Sequence, residues 1–316
     1  MSVAEILKNR TQTGFSIEIL PPLKGKNLNK VFADLDKLVE HKPLFVNITT
    51  HHSEPVYMAA GDDGNLRKVF VRKRPGTVAV AAAIRHRYNI PTVPHIICMG
   101  FSPEETEYVL IDLNFLGVTD LLVLRGDTDK ETLVPREASH KFAIDLIQQV
   151  NDFNNGKSID GSLFEKPDVP FSYGVAGYPE KHSEAPNLET DIQRLKAKVD
   201  MGAQYVVTQL FYDNDHFYRF RDKAHAAGIN VPIIPGLKPL SKKKQLSILP
   251  SVFNTEIPQP LVQQVEAAKD DSESRKIGTD WLFRQSEDLK AHGVPCIHYY
   301  TLGAVDMVCD VVKNLF

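Results

Sequence analysis

Eight short apolar runs, each followed by a stretch of helical periodicity, set the first constraint on this chain. The runs are FSIEIL (15–20), LFVNITT (44–50), TVPHIIC (92–98), TDLLVL (119–124), FSYGVAGY (171–178), QYVVTQLF (204–211), VPIIPG (231–236) and CIHYYTL (296–302). They are mostly continuously apolar rather than alternating, the pattern of strands covered on both faces in a parallel sheet. Between them Leu28, Val31, Leu35 and Leu38 recur at helical spacing, and so do Leu188, Ile192, Leu195 and Val199. Val305, Val308, Cys309, Val312 and Leu315 repeat the pattern in the last helix. SPEE at 102–105 reads as an N-cap serine, a proline at the first helical position and two early acids favoured by the helix dipole. Eight strand-then-helix units in 316 residues predict the α/β class: a (β/α)8 TIM barrel, one catalytic domain over residues 1–316. A doubly wound open sheet is the alternative, but no GxGxxG follows any run, and eight is the closing number. Two segments break the alternation. Residues 151–170 are rich in Asn, Gly, Ser, Asp and Pro and read as a surface loop before the fifth strand, while 251–294 hold extra helices before the eighth.

Composition removes several function classes. Lys and Arg number 37 against 40 Asp and Glu, a net charge of −3, so no basic excess points to nucleic acid. Cys98, Cys296 and Cys309 are too far apart for a disulfide framework or a CxxC metal site. No leader-like apolar core opens the chain and no run approaches the roughly 18 residues of a membrane span. A soluble, cytoplasmic protein without nucleic-acid or membrane partners is the expectation.

Chemistry in such barrels is built at the C-terminal ends of the strands. Unusual polar residues stand there. Glu18 lies in the first run, Thr49, His51 and His52 follow the second, and His95 lies in the third. Arg125, Gly126 and Asp127 close the fourth, and Tyr178-Pro179-Glu180-Lys181-His182 follows the fifth. Gln209 ends the sixth run, Pro235-Gly236 the seventh, and His298-Tyr299-Tyr300-Thr301 belongs to the eighth. Charges in apolar strands are costly unless paired or used.

Glu18 is the sharpest of these. It sits between Ile17 and Ile19, where desolvation should favour the neutral acid and suit a general acid near neutral pH. The structural alternative is a buried carboxylate paired with His95 or Arg125. Asp127 reads as a contact to substrate or cofactor or as a cap to the next turn, and Arg125 as its ion-pair partner or a phosphate clamp. A metal site built from His51, His52, His95, His182 and His298 is disfavoured, because the HxH usual after the first strand of zinc barrels is replaced by Glu18. The basic run RKVFVRKRPG (67–76) is a solvated loop face or an attraction for a polyanion. Phe211-Tyr212 and Tyr299-Tyr300 either stack on a flat heterocycle or pack the rim.

Taken together, FSIEILPP, VPHIIC, LRGD, AGYPEKH, DIQRLKAKVDMGAQYVVTQLFYD, IPGLKPL and HYYTL resemble the methylenetetrahydrofolate reductases, from Gly14 to about Asp310. The resemblance implies an FAD-dependent barrel of one-carbon metabolism and methionine biosynthesis. Such an enzyme reduces 5,10-methylenetetrahydrofolate to 5-methyltetrahydrofolate with NADH or NADPH, in ping-pong fashion. It implies Glu18 as the catalytic acid, Asp127 as the aspartate beside flavin and folate, and Gln209 as a contact to folate and nicotinamide. Thr49, His95, Arg125, Gly126, Asp127, Tyr178, His182, Asp191 and Lys198 match positions that hold FAD. Asp191, Arg194 and Lys198 fall at i, i+3 and i+7 and so share a helix face. Members of the family are often homo-oligomers.

Three departures stand out. The family's TLNR after the eighth strand is TLGAV here, so Ala304 replaces a folate-contacting arginine. Thr49 is followed by Thr50-His51-His52 instead of Tyr-Gly, and the loop DTDKETLVPREASHKF (127–142) lacks a glycine-rich form. The chain also ends at Phe316, where animal and fungal members continue into a regulatory domain, so inhibition by adenosylmethionine is not expected. Three other readings stay open: a flavin barrel fed electrons by a partner protein, a folate- or flavin-binding barrel without turnover, and a metal-dependent hydrolase.

Overall fold

The computed structural model describes residues 1–60, 65–126 and 140–316. In chain order the elements begin with α1 (Val3–Lys8), β1 (Gly14–Ile19), α2 (Asn29–Val39), β2 (Val46–Ile48), β3 (Glu54–Ala59), β4 (Leu66–Val71) and α3 (Thr77–Tyr88). The middle holds β5 (Thr92–Ile97), α4 (Pro103–Phe115), β6 (Asp120–Leu124), α5 (Ala143–Asn154), β7 (Ser172–Gly177) and α6 (Leu188–Asp200). The last part holds β8 (Tyr205–Leu210), α7 (Asn214–Ala226), β9 (Ile233–Leu237), α8 (Gln245–Phe253), α9 (Gln259–Ala267), α10 (Asp271–Ala291), β10 (Cys296–Tyr300) and α11 (Val305–Leu315).

Eight of these strands close a parallel barrel in the order β1-β10-β9-β8-β7-β6-β5-β2, and β2 returns to β1. All eight apolar runs are barrel strands, and the open-sheet alternative falls. The extra helices before the last strand are α8, α9 and α10. Ser102 caps α4 with a full capping box to Glu105, and Pro103 opens the helix, as the sequence implies.

Two local readings need correction. The basic run is not a bare loop: Leu66–Val71 pairs antiparallel with Glu54–Ala59 in a hairpin between β2 and α3. Within 151–170, α5 runs on to Asn154, so the loop proper starts later.

Strand alternation sorts the core into two layers. Outward residues such as Phe15, Ile17, Val46, Ile96, Val123, Val206 and Ile297 pack under the helices. Inward residues Phe45, Val93, Leu122, Tyr205, Val207, Ile234 and Cys296 fill the barrel, and Val3, Ala4 and Leu7 of α1 join them. Each large side chain buried this way contributes about 1.5–3 kcal/mol. A third cluster joins Leu210, Tyr212 and Leu240 to Leu249, Leu261 and Val265 of the extra helices. There Gly278 of α10 lies against the Leu240 backbone, where a Cβ would come within 1.8 Å of the carbonyl oxygen. Among the described residues no helix is long and apolar enough to cross a membrane.

Asp120 anchors α1, accepting a 2.9 Å hydrogen bond from the Val3 amide. Burial pushes its carboxyl up to about 6 despite that bond. A carboxyl raised in the folded state binds its proton more tightly there than in the unfolded chain. Its contribution to stability is therefore fully present below pH ~4 and is lost as pH rises through about 6. Asp120→Asn keeps an acceptor without the charge. It is expected to melt above wild type at pH 8 and level with it at pH 4; equal shifts at both pH values would refute the buried-charge cost.

Candidate active site

The C-terminal ends of the strands converge on a polar mouth. Counting by two along β1 puts Ser16 and Glu18 inward, and the same count gives Asn47 and Thr49, His95, Gly236 and Lys238, and His298 and Tyr300 on their strands. Register sets three of them side by side: Glu18 pairs with Asn47 on one side and Tyr300 on the other. Tyr299 pairs with Leu237, so one residue further Tyr300 stands beside Lys238.

Glu18 is 6% exposed. Its Oε2 lies 3.6 Å from His95 Nε2, too far for a hydrogen bond. Burial, with His51 adding to it, holds the His95 imidazole down to about 3, so the pair is a carboxyl facing a neutral ring. His298 below it is likewise held to about 3, chiefly by burial and next by His95. The His298 Nδ1 meets Ser16 Oγ at 2.8 Å. Thr301 Oγ1 donates to the Glu18 carbonyl at 2.6 Å and fixes the backbone that carries the acid. The Tyr300 hydroxyl donates to Thr208 O at 2.6 Å, and burial raises its phenol far above the ordinary range.

Among the described residues several buried atoms here have no hydrogen-bond partner: Asn47 Oδ1 and Nδ2, Thr49 Oγ1, His95 Nε2 and His298 Nε2. Leaving such a group unsatisfied costs about 1–3 kcal/mol. Their gathering around Glu18 is the mark of a surface built to meet polar atoms from outside the chain.

A second wall rises from the ends of β6 and β7. Arg125 makes a bidentate pair with Glu184 at 2.7 and 2.9 Å, which raises its pKa further. Gly126 turns the chain at φ +92°, in the left-handed region that favours glycine. The Tyr178 ring meets His182 edge-on at 4.8 Å, and the His182 amide donates to Asp191 Oδ2 at 3.0 Å. Burial, and then Arg125, lowers the His182 imidazole from its ordinary value. Lys198 Nζ donates to Ala176 O at 3.0 Å, and burial brings it down to about 8 against the pull of Asp191.

The structure therefore brings Glu18, Thr49 and His95 together on one side and Arg125, Gly126, Tyr178, His182, Asp191 and Lys198 on another. Asp127 lies outside the described residues. Arg194 is exposed, unlike buried Asp191 and half-buried Lys198. At about 100° per residue it stands roughly 60° from Asp191, while Lys198 stands only about 20° away. Gln209 is half-buried at a bulge between β8 and β9, and its Oε1 accepts from the Leu210 amide at 2.9 Å. Arg125 has Glu184 as its partner among the described residues. His51 is exposed and His52 half-buried at the rim. Ala304 is buried and caps α11.

Glu180 of the AGYPEKH motif serves the fold. Its carboxylate meets His216 Nδ1 at 2.8 Å and accepts from Thr255 Oγ1 at 2.7 Å and the Glu256 amide at 2.8 Å, so it latches β7 to the extra helices. Sequence reasoning missed Lys238 and Asn47. The available signal was a lysine directly after an apolar run and an asparagine inside one.

The family model for methylenetetrahydrofolate reductase matches residues 3–316. The chain is 30% identical over 315 residues to the 5,10-methylenetetrahydrofolate reductase of Escherichia coli (strain K12), covering 99% of this chain and 93% of that protein. It is 31% identical to methylenetetrahydrofolate reductase (NADH) 1 of Arabidopsis thaliana over all of this chain, and spans about half (51%) of that relative's length. Among solved structures, an uncharacterized protein from Clostridium thermocellum that binds two copies of 5-methyl-5,6,7,8-tetrahydrofolic acid shares the fold. Its TM-score is 0.57 at 16% identity, with 98% of each chain covered.

Proposed function

The chain belongs to the methylenetetrahydrofolate reductase family, and from that premise we propose that it reduces 5,10-methylenetetrahydrofolate to 5-methyltetrahydrofolate through FAD, with NADH or NADPH as hydride donor. The observation that carries this reading is Glu18: a buried carboxyl in the mouth of a closed barrel, ringed by buried polar atoms that have no partner among the described residues.

The residues present fit FAD. Thr49 Oγ1 and His95 Nε2 are buried polar atoms at the mouth without a partner among the described residues, suited to the polar edge of a flat ring. Arg125, His182 and Lys198 form a wall rich in donors, where a diphosphate would be held, with Asp191 and Tyr178 beside it. Gly126 brings backbone close to the same place. FAD, when bound, supplies a carrier that takes two electrons from a nicotinamide and gives them up to a second substrate. The protein contributes orientation, a dry mouth and one proton.

In the product the methyl group remains on N5, so the bond between the bridging carbon and N10 must break. A proton from the Glu18 carboxyl to N10 makes that nitrogen a leaving group, and the carbon left on N5 becomes able to accept hydride. His95, held neutral by burial, adds no charge of its own beside that cationic carbon. Gln209, whose Oε1 is held by the Leu210 amide, would donate through Nε2 to folate or nicotinamide. We assign Asp127 to the same reaction on the resemblance of its LRGD motif to the family's. With Ala304 where the family has arginine, the folate is held by other groups.

An absorption spectrum with anaerobic additions tests the proposal. A flavin band that bleaches with NADH or NADPH and returns on adding methylenetetrahydrofolate is the expected result. A band that neither nucleotide bleaches would remove the nicotinamide donor, and the absence of any flavin after FAD is supplied would remove the cofactor.

A further inference from the structure

Lys238 is 7% exposed, directly beyond the end of β9 on the inner face. Among the described residues its ammonium makes no hydrogen bond and no ion pair within 4 Å, and the charge that acts on it is Glu18. The two stand in one layer, with Tyr300 on the strand between them. Neighbouring strands are about 4.8 Å apart, so the two backbones lie roughly 10 Å from each other, within reach of a long side chain opposite a carboxylate. Burial lowers the ammonium from the ordinary lysine range and Glu18 pulls it back up. A buried unpaired ammonium is costly, and an apolar side chain of similar volume would suit a merely structural position better.

We propose that Lys238 is a positioning residue that makes Glu18 a stronger acid, by facing the carboxylate that remains once Glu18 has given up its proton. The inference rests on the reductase reading, in which Glu18 protonates N10 of the folate. The proton leaves Glu18, the N10–carbon bond takes its electron pair to nitrogen, and Lys238 keeps its own protons throughout. Solvent restores the Glu18 proton before the next turnover. The coupling is reciprocal: the stabilisation that Glu18 gives the ammonium is returned to the carboxylate.

Among the described residues, the other titratable groups named here around the acid do not supply this charge. His95 on β5 and His298 on β10 are held neutral, and Tyr300 keeps its proton. His51, exposed on the rim after β2, acts on His95, and Tyr178 after β7 acts on Tyr300. Asp127 lies outside the described residues.

Infrared titration of the Glu18 carboxyl in the flavin-loaded protein tests the coupling without turnover, the band being assigned by its loss in Glu18→Gln. Lys238→Met is expected to move the midpoint up by about one pH unit or more, a tenfold weaker acid, while Lys238→Arg leaves it within about 0.3 units. The alkaline limb of the folate half-reaction should move with it. An unmoved midpoint in Lys238→Met overturns the proposal, and so does an equal shift in Lys238→Arg, which would trace the effect to volume rather than charge. A raised KM for folate with the limb in place would make Lys238 a substrate anchor and overturn it too. Lys238→Gln, polar and uncharged, serves if the methionine variant does not fold. Wild type without folate turnover would defeat the reductase reading, while the titration would still decide the Lys238–Glu18 coupling.

Discussion

Glu18→Gln is expected to slow folate reduction by a factor of about 10²–10⁴, the usual worth of a positioned proton donor, with flavin reduction by the nicotinamide kept within about threefold. The asymmetry follows from the chemistry. Hydride passage from a nicotinamide to the flavin needs orientation but no acid, whereas N10 cannot leave as an anion. Glutamine fills the same buried space between Asn47 and Tyr300 and keeps an acceptor for its neighbours, so the barrel has no reason to rearrange. Stopped-flow measurement of the two half-reactions separates the effects. Equal loss in both would show that Glu18 holds the mouth together and is not the donor.

The largest expected change in stability lies away from the mouth, at Gly278. In an ordinary exposed helix, replacing glycine by a residue with a Cβ adds about 0.5–1 kcal/mol of stability. Here the added atom would lie 1.8 Å from the Leu240 carbonyl oxygen and 2.8 Å from its carbon, and neither is a side chain that can swing aside. Either α10 backs away from Leu240 or the segment carrying Leu240 moves. Gly278→Val should therefore cost about 3 kcal/mol or more, visible as a melting point roughly 6–12 °C lower. Since Leu240 follows Lys238 by two residues, folate reduction should fall further than flavin binding. A raised melting point, as helix propensity alone would give, would contradict the packing.

How much of this was legible beforehand follows from the range of each interaction. The eight barrel strands were readable because each is a continuous apolar run bounded by turn residues; CIHYYTL, for example, contains Cys296–Tyr300 whole. The hairpin Glu54–Ala59 with Leu66–Val71 was hidden, because Arg67 and Lys68 made its second strand read as a solvated loop. At the site, the residues on each strand end were legible but their partners were not. Arg125 was set beside Asp127 by adjacency, whereas its bidentate partner Glu184 is 59 residues away. Lys238 was passed over for the same reason, since only the register of β9 on β10 and of β10 on β1 sets it in the layer of Glu18. The individual roles given to Thr49, His95 and Gln209 came from family resemblance, and for Thr49 and His95 period-two counting supplied the direction in which they point.

The barrel closes where β1 meets β10, and the hydrogen bond from Thr301 to the Glu18 carbonyl spans 283 residues of chain. Contacts of that separation form late, since the entropy of closing so long a loop must be overcome before they stabilise anything. A chain still emerging from the ribosome thus carries Glu18 as an ordinary hydrated carboxylate, with neither Tyr300 nor Lys238 beside it. The working acid comes into being in one event, when the last strand inserts between β9 and β1. A chain cut before β10 would lack the strand that pairs with both β1 and β9, and with it a proton donor in working form.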